Sequence, residues 1–317
     1  MASASMCPKR DFYIGDLEFI RPLATAAPGE IKLKYFKVSL MERAEWFEMI
    51  TWPACWKEET LGRLKQAVEE AGITAQASEV LYRTEHEAAV RAILFDHAGS
   101  LSGLFKNGHS IIVADCGGIT IDAATFKFHA PNARHTGIGD IVKAKSCLFG
   151  APSLDTAFEE LLSRKIDKAT GLQASEFTNP ILLAKEAALE HWHRTVKNRF
   201  DPSTLLDGDE KYPIPGGREV DIHRDEMMKI FDDVVHKIVQ TIVGLYEDAA
   251  QTTADNPKDI FLTGGLACLD YIQGRVTTLL RQRLGNNNLH IVTGDNHGMR
   301  TAVCRGAALE GVPLPYV

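Results

Sequence analysis

The chain has 317 residues, 45% of them hydrophobic and 24% charged, which is the balance of a soluble globular protein and excludes a disordered chain. At about 150 residues per domain this is one large domain or two packed lobes, able to bury a core without disulfide or metal staples. Lysine and arginine total 35 against 42 acidic residues, a net charge of -7 with no basic run, so nucleic acid and anionic membrane surfaces are poor partners.

No apolar run approaches the roughly 18 residues of a membrane helix, so no membrane insertion is expected. The start, MASASMCPKR, lacks the apolar region of a secretory signal. The six cysteines, Cys7, Cys55, Cys116, Cys147, Cys268 and Cys304, form no CxxC pair and no zinc spacing. These features together predict a reduced, cytoplasmic protein.

In chain order, Phe12 to Arg21 and Ile31 to Leu40 are short runs with strand-like alternation. Met49 to Trp52 reads as a strand ending at Pro53. Lys57 to Ala71 carries Leu61, Leu64, Ala67, Val68 and Ala71 at helical spacing and stops at Gly72. Val80 to Tyr82 is a strand, followed by a helix from Ala88 to about Phe95. Ser110 to Phe128 holds two β-rich runs around Asp115-Cys116-Gly117-Gly118, which predicts a hairpin. Helices are expected over Ser153 to Arg164, with Ser153 as cap, and over Asn179 to Phe200. Asp201 to Gly217 reads as a loop or edge hairpin. Within Asp221 to Ala250, Met227, Ile230, Phe231, Val234, Ile238, Ile242 and Leu245 repeat every 3.6 residues as one long amphipathic helix. Asp259 to Thr263 is a buried strand leading through Gly264-Gly265 into a helix ending near Leu284. Leu289 to Val292 is a strand, and Arg300 to Leu309 a closing helix. The final third alternates helix and strand, the signature of α/β architecture.

Three segments carry chemistry. In IIVADCGGITID, Ile111 to Asp122, glycines let backbone N–H groups approach an anion, and Asp115 and Asp122 are placed to hold a hydrated divalent cation. A plain hairpin needs the same glycines, and on the motif alone both readings stand. In IFLTGGLACLDYI, Ile260 to Ile272, a glycine pair follows a buried strand at the start of a helix, a junction that suits a phosphate or packing alone. In TEHEAA, Thr84 to Ala89, Glu85 and Glu87 lie near a helix N-terminus, where they complement its dipole. His191 and His193 stand two apart, which points them to different helix faces and argues against a metal pair.

Taken in order, these segments resemble the seventy-kilodalton heat-shock chaperones, in the divergent form abundant in filamentous fungi. Glu85-His86-Glu87-Ala88-Ala89 resembles their E-P-x-A-A element. Asp115 to Asp122 resembles their second phosphate motif, D-x-G-G-G-T-x-D. Ile260 to Tyr271 resembles the adenosine motif, and Thr301 to Ala307 the start of the closing helix. Ile50 to Trp56, with Glu70-Ala71-Gly72 after it, resembles T-V-P-A-x-W…A-A-G. The resemblance spans about Glu45 to Gly311. It implies the actin-like ATPase (ribonuclease H-like) fold, α/β, with one lobe nearly complete and the other truncated. The first lobe would cover 1–108 with the closing helix 300–317 packed on it. The second would cover 109–299 and include a helical and hairpin subdomain at about 156–222.

The departures from the family pattern matter as much. Against the family pattern, the expectation is that the first phosphate hairpin, the lysine-bearing subdomain and the peptide-binding domain are lost, with Met1 to Arg43 filling the vacated space. Ile119 replaces a glycine where a phosphate approaches, and His86 replaces a proline. Each hydrogen bond to a charged group is worth about 1.5–3 kcal/mol, so two lost phosphate contacts remove about two to four decades of affinity. The expectation is a degenerate ATPase domain without hydrolysis. Its cleft would be repurposed for a small, largely apolar molecule, with no cofactor and Glu85, Asp115, Thr120 and Asp122 as the chemical residues. Such a cleft suits a cofactor-free cyclase or isomerase of secondary metabolism, for example one catalysing a [4+2] cycloaddition of the Diels–Alderase type. The alternative is a nucleotide-binding pseudo-ATPase or chaperone-associated scaffold, in which Gly117, Gly118, Gly264 and Gly265 contact ATP or ADP with magnesium. Assembly as a homo-oligomer is compatible with either.

Overall fold

The computed structural model describes residues 37–41, 47–53, 56–73, 79–97, 108–128, 140–202, 209–252, 256–285, 289–293 and 296–310. They belong to one compact unit, Phe36–Val317. The run expected over Phe12 to Arg21, and all of 1–36, lie outside the described residues.

A three-stranded sheet comes first. Strand β1 (Lys37–Met41) pairs antiparallel with β2 (Phe47–Trp52), which pairs parallel with β3 (Glu79–Thr84). The parallel pair needs a crossover, and α1 (Glu58–Glu70) provides it, burying Leu61, Leu64, Ala67 and Val68 as its spacing predicts. Helix α2 (Glu85–His97) follows β3 with no intervening loop. It begins three residues before the expected Ala88 because Thr84 and Glu87 cap it.

The central sheet has five strands in the order β10-β9-β4-β5-β6. Strands β4 (Ser110–Cys116), β9 (Asp259–Thr263) and β10 (His290–Thr293) run parallel, and β5 (Ile121–Lys127) and β6 (Asp140–Cys147) extend it antiparallel. The sheet is therefore mixed, and the protein is mixed α/β. Strand alternation sends Ile112, Ala114, Ile121, Ala123, Ile260 and Leu262 to one face. There they pack on α3 (Ala151–Thr170), α6 (Arg224–Thr252) and α7 (Asp270–Leu284). Ile111, Val113, Ala124, Phe126 and Phe261 face the other way, onto α2, α8 (Asn296–Arg300) and α9 (Ala302–Ala308). The stripe read from Met227 to Leu245 on α6 is buried throughout.

Beyond α3, helix α4 (Asn179–His191) passes through a π-turn at Trp192–Val196 into the short α5 (Lys197–Arg199). Trp192 stacks on Phe158 at 4.3 Å, and Phe200 stacks on Phe231 at 4.7 Å, so aromatic packing fixes this helical layer. Strand β7 (Asp209–Ile214) lies in Asp201 to Gly217, the segment read as loop or edge hairpin, and its antiparallel partner β8 (Arg218–His223) lies just beyond it. Three expectations need correction. Helix α3 starts at Ala151, with Gly150 and not Ser153 at its cap position. The closing helix expected over Arg300 to Leu309 is α9 (Ala302–Ala308), and a short α8 (Asn296–Arg300) that the sequence reading lacked precedes it. Strand β6 had no counterpart in the reading of the sequence. Among the described residues no helix is long and apolar enough to cross a membrane.

Candidate functional site

The hairpin β4–β5 sets Asp115 and Asp122 directly opposite each other in register. Both are buried, and alternation puts them on the α2 face with Phe126 and Phe261. Two carboxylates opposed in a strand pair repel, so each needs hydrogen-bond donors. The Ser146 hydroxyl on β6 donates to Asp122 Oδ1. The Thr263 hydroxyl, at the end of β9 beside Asp115, lies 3.5 Å from Asp115 Oδ1 and 3.4 Å from the Ala114 carbonyl. Asp122 Oδ2 has no hydrogen-bond partner among the described residues.

The turn joining the two strands is closed by the Gly117 N–H donating to the Thr120 carbonyl at 2.9 Å. Thr120 is buried and Gly118 exposed. Gly150, ahead of α3, packs on the turn, and a Cβ there would stand 2.4 Å from the Gly118 carbonyl oxygen. The N–H and C=O of one planar trans peptide unit point in opposite directions. With the Gly118 carbonyl against Gly150, the Ile119 N–H is directed to the opposite side of the turn. Among the described residues no backbone carbonyl takes the Gly118 or Ile119 N–H.

Gly264 follows β9 with φ +89°, and its Cα lies against Asp115: a Cβ would come 2.4 Å from Asp115 Oδ1. Its N–H donates to the Met299 carbonyl at 3.1 Å, and Leu266 N–H donates to the Cys116 carbonyl at 3.0 Å. Gly264 and Leu266 thus lace the end of β9 to α8 and β4. It does not open a helix: α7 begins only at Asp270, which corrects the expected strand–glycine–helix junction. Gly265 is half-buried, and a Cβ there would meet nothing within 4 Å.

On α2, Glu87 Oε2 accepts from the Thr84 N–H at 2.8 Å and the Thr84 hydroxyl at 2.6 Å, a helix cap that accounts for Glu87. Glu85 and His86 are buried in the first turn. His86 has no exposed surface, both ring nitrogens lack hydrogen-bond partners among the described residues, and the ring meets Phe126 edge-on at 5.7 Å. Burial pushes its pKa down, against the pull of Glu87, Asp122 and Asp115, so the imidazole is held neutral. Burial also pushes the Cys116 thiol up, which makes it a core residue and not a nucleophile.

The fold thus gathers Asp115, Thr120, Asp122, Gly117 and Gly118 in one hairpin, with Gly264 against Asp115. It does not tie Gly265 to them. His86, Ser146, Thr263 and Gly150 were missed as site residues. Thr263 is in phase with Phe261 along β9, a signal alternation could have supplied. Ser146 lies on the unanticipated strand. Among the described residues no group of three or more His, Cys, Asp or Glu is placed to hold a metal ion directly. His191 and His193 instead stand 3.8 Å from Glu210 and 3.5 Å from Asp155.

No protein-family profile matches the chain. Human heat shock 70 kDa protein 12B is 36% identical to it over 90 residues, which is 28% of this chain and 12% of that protein's length. The chain therefore matches a small part of that relative, and the likeness is distant and partial, to a heat-shock 70 kDa protein.

Proposed function

We propose that the hairpin end of the central sheet is a degenerate nucleotide site of the heat-shock ATPase kind, which binds a phosphate-bearing ligand without turning it over. The observation behind this reading is the opposed pair Asp115 and Asp122 beside a turn whose Gly118 carbonyl is packed away on Gly150. That arrangement leaves Asp122 Oδ2 for a hydrated cation, with Asp115 opposite it, and the Gly118 and Ile119 amides for an anion. A magnesium nucleotide would supply the positive charge that two opposed carboxylates call for. Magnesium keeps several of its waters, so two carboxylates suffice to hold it. Ile119 puts a branched side chain at the turn, and Gly264 spends its N–H on Met299, so the phosphate has fewer donors than in the family pattern. Affinity is correspondingly weak, and the division into lobes near residue 108 rests on the same reading.

Calorimetry with ATP or ADP and magnesium tests it. The expected result is weak, magnesium-dependent binding that Asp115→Ala abolishes; no heat at millimolar nucleotide removes the reading. A second reading keeps the small apolar molecule and cofactor-free cyclisation. It draws on the neutral, buried His86 beside two carboxylates, an acid–base set that a triphosphate site does not require. It takes over if nucleotides are silent while an apolar dye binds the folded protein stoichiometrically and Asp122→Ala abolishes that binding.

A further inference from the structure

Beside the hairpin turn the chain presents an apolar side chain to solvent. Ser146, whose hydroxyl bonds Asp122, and Gly150, which packs on the Gly118–Ile119 peptide, are separated by Cys147, Leu148 and Phe149. Leu148 is two residues from each, so its Cα lies within about 7 Å of both Cα atoms. The Phe149 N–H donates to the Cys147 carbonyl at 2.9 Å, which puts Leu148 at the apex of a three-residue turn. Cys147 and Phe149 pack against the larger apolar cluster. Leu148 is 81% exposed, more than any other large apolar residue among the described residues. A lone exposed leucine needs no explanation in itself. This one is tied into the site from both sides, through Ser146 to Asp122 and through Gly150 to the turn amides. Ile119 adds a second, half-buried apolar side chain at the turn.

We propose that the phosphate-bearing ligand of this site is a free diphosphate ester of a hydrocarbon alcohol, of the isoprenyl kind, whose chain lies on Leu148 and Ile119. The proposal rests on the phosphate reading above and names its substrate class. Two anionic groups match two features of the site. One phosphate takes the Gly118 and Ile119 amides, and the other takes a magnesium ion held through its waters by Asp122 and Asp115. The hydrocarbon then covers two side chains that a nucleoside leaves without a match, because ribose and base call for hydrogen-bond partners that leucine and isoleucine lack. A net charge of -7 with no basic run sets the source: the phosphate comes on a free molecule and not on an anionic membrane surface.

Calorimetry of the full chain with magnesium compares inorganic diphosphate, ADP and farnesyl diphosphate, the last below its micelle concentration. Farnesyl diphosphate should bind at least roughly tenfold tighter than either of the others, about 1.4 kcal/mol, which is less than burying one leucine side chain provides. Leu148→Ser, at an exposed position, should fold as the wild type does and lose that gain. Asp122→Asn should lose farnesyl diphosphate binding, because the magnesium has lost its carboxylate.

Equal affinity for inorganic and farnesyl diphosphate overturns the proposal and leaves the phosphate reading standing, as does ADP binding tightest of the three. A gain that survives in Leu148→Ser overturns it too. So does farnesyl diphosphate binding unchanged in Asp122→Asn, which would place the hydrocarbon away from the carboxylate site. If none of the three compounds binds, the phosphate reading falls and this proposal with it. Vesicles of phosphatidic acid in phosphatidylcholine should leave the protein in the supernatant; sedimentation with them would assign the phosphate to a membrane and overturn the free ester.

Discussion

His86 stands where the resembling family has proline, and the structure turns that difference into a pH dependence. In the unfolded chain an imidazole takes a proton near pH 6.5. In the folded protein burial resists it, so the folded-state pKa lies lower. Between the two values the unfolded state binds more protons, and stability rises with pH. Below about pH 6.5 the wild type should therefore lose up to about 1.4 kcal/mol per pH unit through this group. His86→Phe removes two unpartnered nitrogens while keeping a ring against Phe126. Denaturant melts from pH 7.5 to 5 should show a shallower decline in this variant; parallel curves would mean that His86 opens to water. Gly264 is read differently once its surroundings are known. Sequence alone offered phosphate binding or packing, and the 2.4 Å that a Cβ would leave to Asp115 Oδ1, with φ +89°, selects packing. Gly264→Ala should cost at least about 2 kcal/mol, from backbone strain and displacement of the carboxylate.

Elements with a period were legible, and elements defined by their neighbours were not. The 3.6-residue stripe of α6 and the continuous apolar runs of β4 and β9, buried on both faces, declare themselves because burial imposes the pattern. Strand β6 is an edge strand with Lys143, Ala144 and Ser146 exposed, so no buried face writes itself into its sequence. The cap of α3 was missed because Gly150 is chosen by the turn it touches and not by a side-chain oxygen. The crossing of α2 over α9 is likewise invisible in either helix alone. There a Cβ on Gly306 would sit 1.6 Å from the Ala88 carbonyl oxygen, a backbone that cannot yield locally. Gly306→Ala should separate the helices and cost roughly 3 kcal/mol or more, since overpacking against a backbone forces the elements apart. Gly274, exposed on α7 with nothing near its Cβ position, is the control. Gly274→Ala should stabilise by about 0.5–1 kcal/mol through helix propensity. Thermal melts of the two variants should move in opposite directions; two shifts of like sign would refute the packing argument.

At the scale of the molecule, both buried clusters are built from residues of Phe36–Val317. The larger cluster runs from β4 and β5 through α3 to α7, and the smaller joins β2 and the central sheet to α2, α8 and α9. Met1 to Arg43 is expected to fill space vacated by a lost subdomain; of that stretch the described residues include 37–41, strand β1, which pairs with β2. A domain's stability follows the apolar surface it buries, and among the described residues both clusters are assembled from Met49 onward. A chain beginning at Phe36 keeps every described strand, helix and site residue, including Glu85, Asp115, Thr120 and Asp122. It should fold with one cooperative transition, within a few degrees of the full-length midpoint, because about 1 kcal/mol moves the midpoint of a domain this large by only about 2–4 °C. Circular dichroism melts of the two chains decide the matter. A broad or much lower transition in the shortened chain would assign the N-terminal segment to the core after all, and loss of the magnesium-dependent calorimetric signal alone would assign it to the site.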